Sequence, residues 1–189
     1  MTDREMIARC KKGDREAFNK LMETYQKQVF NISYGMLSDY EDASDAAQEV
    51  FVKVWRSIAG FKGESSFTTW LYRICANVCN DILRKRQRRG MTVSLDTDDG
   101  DKNPAAELPS EEPTPEESLE ADERQRLVRR AIDSLSDEFR AVIILSDLQQ
   151  LSYEEVANVL KIPTGTVKSR LNRARNALRK KLSDKRELF

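Results

Sequence analysis

The chain has 189 residues, 39% hydrophobic and 34% charged, with three cysteines and no histidine; its 32 basic and 32 acidic side chains cancel. These values argue against a disulfide framework, a Cys/His metal site and a membrane-inserted protein, and they describe a helix-rich soluble chain with room for two small cores. The first residues lack the basic-then-apolar pattern of a secretory signal, so a cytoplasmic protein is expected.

The zero net charge conceals a segregation along the chain. Residues 1–90 carry 16 basic and 12 acidic side chains (net +4), residues 91–123 carry 1 and 12 (net −11), and residues 124–189 carry 15 and 8 (net +7). No glycine-rich phosphate loop, nucleophile elbow or convincing metal-ligand cluster is present, so no catalytic residue, cofactor or metal is expected and the chain reads as a non-enzyme.

In the first segment, Thr2 and Glu5 spell a capping box, and Met6, Ile7 and Cys10 share one face of a short helix that Gly13 ends. Asp14 caps a second helix whose apolar positions Phe18, Leu21, Met22, Tyr25, Val29, Ile32 and Met36 recur every three or four residues. A third runs from Asp39 to about Ile58, burying Ala43, Ala47, Val50, Phe51, Val54 and Ile58 and leaving Asp45, Gln48, Glu49 and Lys53 largely on the other side. After the break at Ala59-Gly60-Phe61-Lys62-Gly63, Ser65 or Ser66 caps a fourth helix with Phe67, Leu71, Ile74, Val78 and Ile82 inward. Cys75 and Cys79, one turn apart on it, read as small apolar fillers.

The fourth helix also carries Trp70, Tyr72, Arg73, Asn77 and Asn80 and ends in the basic run Arg84 to Arg89. Aromatic faces can stack on unpaired bases, guanidinium groups hold phosphates, and an Asn amide reads a base edge, so this set suits single-stranded DNA. Packing at a helix edge is the alternative for Trp70 and Tyr72. The stretch from Asp96 to Glu123, with four prolines and almost no large apolar residue, cannot bury enough surface to fold alone. It reads as a flexible, self-repelling linker; a single acidic surface loop is the alternative.

In the last segment, Leu127, Val128, Ala131, Ile132 and Leu135 mark one amphipathic helix. Ser136 caps the next, with Phe139, Val142, Ile143 and Leu148 inward. Ser152 to Glu155 is a second capping box, opening a short helix with Val156, Ala157 and Leu160 inward that breaks at Lys161-Ile162-Pro163. Thr164 caps a last helix with Val167, Leu171, Leu178 and Leu182 buried and Lys168, Arg170, Arg173, Arg175 and Arg179 pointing elsewhere. The spacing is that of a helix-turn-helix with a cationic second helix, a DNA-binding pattern. Lys161 stands where many such motifs have glycine and must point outward from the turn. A receiver domain preceding a helix-turn-helix is the competing architecture, but it needs alternating strands and helices, which the first ninety residues do not show.

Three motifs resemble, in order, those of the extracytoplasmic-function sigma factors. Asp45 through Trp55 is similar to the segment that docks on the polymerase clamp helices, Phe61 through Ile74 to the segment that melts and reads the minus-ten element, and Leu135 to Arg140 with Leu151 to Arg175 to the region that reads the minus-thirty-five element. The resemblance implies an all-α protein of two small helical domains, sigma region 2 at 1–90 and a helix-turn-helix region 4 at 124–189, joined by a flexible acidic linker at 91–123. It implies polymerase docking by Asp45, Gln48 and Glu49, minus-ten contacts by Lys62, Ser65, Ser66, Trp70, Tyr72, Arg73 and Asn77, and minus-thirty-five contacts by Thr164, Thr166, Lys168, Ser169, Arg170 and Arg173. The partners it implies are core RNA polymerase, promoter DNA and an anti-sigma factor, and the role is promoter-specific initiation in response to stress or the envelope.

Overall fold

The computed structural model describes residues 2–90 and 115–186, and every element among them is helical. Helix α1 (Asp3–Cys10) opens with the expected box: Thr2 Oγ1 accepts from the Glu5 amide at 3.4 Å while the Glu5 carboxylate accepts from the Thr2 amide at 2.9 Å. Helix α2 (Arg15–Leu37) is capped by Asp14, which accepts from the Ala17 amide at 3.1 Å, and α3 (Tyr40–Ser57) by Asp39, which accepts from the Asp42 amide at 2.8 Å. After a 3₁₀ turn at Ile58–Gly60, Ser66 rather than Ser65 caps α4 (Phe67–Gly90), accepting from the Thr69 amide at 3.1 Å. Leu21, Val29, Ile32, Val50, Val54 and Leu71 meet in the core of this first unit. Phe67, Leu71 and Val78 of α4 are buried as expected, Cys75 and Cys79 are fully buried beside them, and Ile74 and Ile82 are only half-buried.

The second unit comprises α5 (Pro115–Asp133), α6 (Asp137–Ile143), α7 (Tyr153–Leu160) and α8 (Thr164–Arg186). Helix α5 begins inside the stretch read as linker, with Pro115 as its first residue, a position where a missing N–H costs nothing. The rest of that proposed linker, 91–114, lies outside the described residues. Ser136 makes no side-chain cap, although its carbonyl accepts from the Phe139 and Arg140 amides at 3.0 and 2.8 Å. Thr164 is already inside α8, and the Pro163 carbonyl accepts from Thr166 and Val167.

Two apolar residues expected inside point outward: Val128 is 44% and Leu148 is 54% exposed. Leu148 has a clear cause. Helix α6 runs on into one wide π turn at Ile144–Leu148, closed by the Gln149 amide on the Ile144 carbonyl at 3.0 Å. The extra residue advances the chain by about 100° relative to an α-helix, turning Leu148 to solvent.

The two units share one continuous core. Helix α2 packs against α6 and the wide turn, and α4 packs against α7. Arg140, 8% exposed, donates to the Met36 carbonyl of the first unit at 3.0 Å and to the Asp133 and Leu135 carbonyls of its own at 2.7 and 2.9 Å.

Lys161 ends α7 at φ 55°, ψ 46°, a left-handed backbone in which a side chain is unfavourable by about 1 kcal/mol. Its side chain is exposed, as the turn requires. Lys161→Gly should therefore stabilise the protein by up to about 1 kcal/mol, read as a higher urea midpoint at unchanged slope.

Candidate nucleic-acid interface

An aromatic cluster shapes the loop before α4. The Phe61 ring lies 5.1 Å from Trp70 and 5.8 Å from Phe67, Trp70 lies 5.7 Å from Phe67, and Tyr25 joins from α2 at 5.4 Å. Gly63, at φ 78°, lets the chain turn back between Phe61 and the α4 cap. On α4, Trp70, Arg73 and Asn77 fall at i, i+3 and i+7 and so share a face; the first two are half-buried and Asn77 is exposed. Lys62 is exposed and Ser65 half-buried, while the Ser66 hydroxyl is engaged by Thr68 and Thr69. Tyr72 departs from expectation. Two residues on from Trp70 it lies on the far side of the helix, 6% exposed, where burial raises its phenol pKa; it is a core residue of this structure and not a base-stacking surface.

The expected docking residues Asp45, Gln48 and Glu49 are all exposed on α3, and Glu49 pairs with Lys53 at 2.8 Å. Beside them a groove of about 970 Å³ runs between α2 and α3, lined by Phe18, Met22, Phe30, Val52 and Trp55 with Gln48 at its edge. Phe18 and Trp55 meet edge to face at 4.9 Å. Reading α3 as a core stripe with a polar back missed this groove. Its signal was Val52 and Trp55, two large apolar residues off the stripe.

Helix α8 divides its cations into two sets. Arg170, 24% exposed at its side chain, pairs with Glu138 of α6 at 2.7 Å. Arg175 forms a two-pronged pair with Asp147 at 3.1 and 2.6 Å, which raises its pKa and uses the carboxylate that the wide turn brings round. Both fasten α8 to α6 and its extension. Lys168, Ser169, Asn172, Arg173, Asn176 and Arg179 form the exposed stripe. Along it Asn176 donates to Asn172 at 3.0 Å and Arg179 donates to Asn176 at 2.8 Å, and Ser169 donates back to the Thr166 carbonyl. Thr164 and Thr166 are half-buried at the start of the helix. The sequence reading missed Asn172 because it followed charge; stepping four residues on from Lys168 finds it.

The sigma-70 region 2 family matches residues 21–89, and the sigma-70 region 4 family matches residues 125–178. The ECF RNA polymerase sigma-E factor of Escherichia coli is 36% identical over 185 residues, covering 96% of this chain and 95% of its own. The chain belongs to the ECF sigma factors. The RNA polymerase sigma-H factor of Pseudomonas aeruginosa is 34% identical over 180 residues, covering 95% of this sigma factor and 93% of its own length. In fold, the sigma factor is similar to CnrH in its complex with the cytosolic domain of CnrY (TM-score 0.68, 24% identity, 96% and 97% of the two chains). It is also similar to the sigma factor RpoE in complex with the anti-sigma factor NepR from Bartonella quintana (TM-score 0.71, 24% identity, 88% and 96%). No described helix of this sigma factor is long and apolar enough to cross a membrane.

The fork between Arg175 and Asp147 is half-exposed, so its contribution is that of a good surface pair. Arg175→Met should lower the urea-unfolding free energy by about 0.5 to 1 kcal/mol, and the added change Asp147→Leu should recover part of that loss, as a double-mutant cycle would show.

Proposed function

We propose that this sigma factor, a non-enzymatic cytoplasmic initiation factor, docks on core RNA polymerase through α3 and reads its promoter with two separate helical faces. Asp45, Gln48 and Glu49 supply carboxylate and amide acceptors for cationic groups on a partner helix, and the apolar groove beside them accepts its side chains. Trp70, Arg73 and Asn77, with Lys62 and Ser65 nearby, take the minus-ten element once it is unpaired. The aromatic face stacks and the cations hold the backbone, which offsets the few kcal/mol of base flipping. An anti-sigma factor and an envelope or stress signal complete the reading.

The observation that carries the promoter assignment is the division of cations on α8. Arg170 and Arg175 are occupied by carboxylates of the second unit, whereas Lys168 and Arg173 make no ion pair among the described residues and share one exposed stripe with Ser169 and Asn172. We assign minus-thirty-five base reading to Arg173 and Asn172, phosphate contact to Lys168, Ser169 and the helix start at Thr164 and Thr166, and a fastening role to Arg170. An Asn amide offers the paired donor and acceptor that match adenine in the major groove, and Arg matches guanine.

Two experiments test the reading. Core polymerase should co-purify with the wild-type chain and be lost or strongly weakened with Gln48→Ala combined with Glu49→Ala; normal retention by that double variant would remove the docking assignment. In a binding-site selection with reconstituted holoenzyme, Arg173→Ala and Asn172→Ala should each relax preference at one base pair by about 1 to 3 kcal/mol, roughly 5- to 150-fold. Arg170→Ala should leave base preference unchanged and lower thermal stability instead.

A further inference from the structure

The loop that leads into α4 is bounded by two aromatic rings. Phe61 precedes Lys62 to Ser66 and Phe67 follows them, and the two rings stand 5.8 Å apart, so the segment leaves and returns at nearly the same point. Both rings also touch Trp70, at 5.1 and 5.7 Å, which sets an expected minus-ten contact against the base of the loop. Each ring is supported from outside the loop as well, and the two supports come from the two ends of one short helix.

At the first end, Asp3 in the opening turn of α1 accepts a hydrogen bond from the Tyr25 hydroxyl. Tyr25 is 6% exposed, and its ring lies 5.4 Å from that of Phe67, which is also buried. At the other end, Lys11 follows the last residue of α1, and its ammonium lies 5.5 Å from the centre of the Phe61 ring. Between the two, Met6 and Cys10 are buried in the core, and α1 packs on α2 and on the 3₁₀ turn that runs into Phe61. Helix α1 precedes the residues matched by the region 2 family, yet it reaches both ends of the loop that this family match contains.

The chemistry of the two contacts is directional. A buried tyrosine hydroxyl needs a partner, and a carboxylate makes a stronger and more strictly placed bond than a neutral acceptor. A carboxylate in the first turn of a helix is itself held by the positive end of the helix dipole, so Asp3 is a fixed point rather than a mobile one. The ammonium of Lys11 is attracted to the face of the Phe61 ring, which favours one tilt of that ring over others.

We infer that Asp3 and Lys11 are positioning residues for minus-ten recognition. Through Tyr25 and Phe67 at one end and Phe61 at the other, α1 holds residues 62–66 and the Trp70 ring in the arrangement that takes an unpaired base. This role rests on the minus-ten reading proposed above for Trp70, Arg73 and Asn77. A loop whose ends are fixed before the base arrives loses less conformational entropy on binding, and the advantage goes to the base whose contacts need that one geometry. Loosening either end lowers discrimination at the minus-ten element and leaves α8 and the docking face on α3 as they are.

The test uses the full chain, reconstituted with Escherichia coli core RNA polymerase, in a selection from promoter fragments randomised in both elements. Tyr25→Phe keeps the ring and removes only the hydroxyl, Asp3→Ala removes the acceptor, and Lys11→Met removes the charge. Each should reduce base preference at the minus-ten element by about 3- to 10-fold, with minus-thirty-five preference, core-polymerase binding and far-UV helicity unchanged. Asp3→Asn keeps an acceptor oxygen and should recover most of the preference. Asp3→Ala and Tyr25→Phe break the same bond, so the two together should lose no more than either alone, whereas adding Lys11→Met should lose more. Unchanged minus-ten preference in Tyr25→Phe and Asp3→Ala would overturn the role of Asp3, and unchanged preference in Lys11→Met that of Lys11. A loss shared equally by both elements, or a loss of polymerase binding, would show a merely structural contact and overturn the positioning role too. Trp70→Ala and Asn77→Ala are the reference variants. If they also keep the minus-ten preference, the minus-ten reading itself falls; if they lose it while the α1 variants do not, only the positioning role falls.

Discussion

A helix of 23 residues ends with carbonyls that its own backbone cannot satisfy, and the way α2 meets that requirement organises the molecule. Its chain reverses at Ser38 through a left-handed residue whose amide returns to the Tyr34 carbonyl. The negative end of the helix dipole is left facing inward, where arginines from α4, α5 and α6 converge on it. Each guanidinium presents donors in a rigid fork, so each contact fixes direction as well as distance. Nη2 of Arg140 donates to the Asp133 and Leu135 carbonyls of its own unit, and its Nη1 bond to Met36 ties that unit to the first.

The second unit uses the same chemistry to a different end. In α8 the arginines that face α6 are matched with Glu138 and Asp147 and serve the packing of the helix-turn-helix, while the outward stripe keeps its cations and amides presented to solvent. A count of positive charge along α8 does not separate these roles, because they differ only in which way the helix turns each residue. The wide turn at Ile144–Leu148 matters here as well. By adding a residue to the helical path it carries Asp147 round to Arg175.

Much of this architecture was legible in local sequence chemistry. The capping boxes at Thr2 and Ser152, the cap at Asp14, the start of α3 at Asp39 and the apolar spacing of α2 and α3 are signals confined to one turn or one face, and each is found where its residues place it. What escaped depends on partners distant in sequence or on breaks of register. Tyr72 was grouped with Trp70 and Arg73 by composition, although a shift of two residues puts it on the opposite side of α4. Leu148 follows an α-helical count that the π turn interrupts. Arg170 is claimed by a glutamate thirty-two residues earlier, and nothing near it in the chain announces that pairing.

The seam at the end of α2 has a further property, which follows from its acceptors. Backbone carbonyls do not titrate, a guanidinium keeps its proton throughout the physiological range, and the chain holds no histidine. At this end of α2, then, the join between the two units depends on the placement of three guanidinium groups and not on any imidazole.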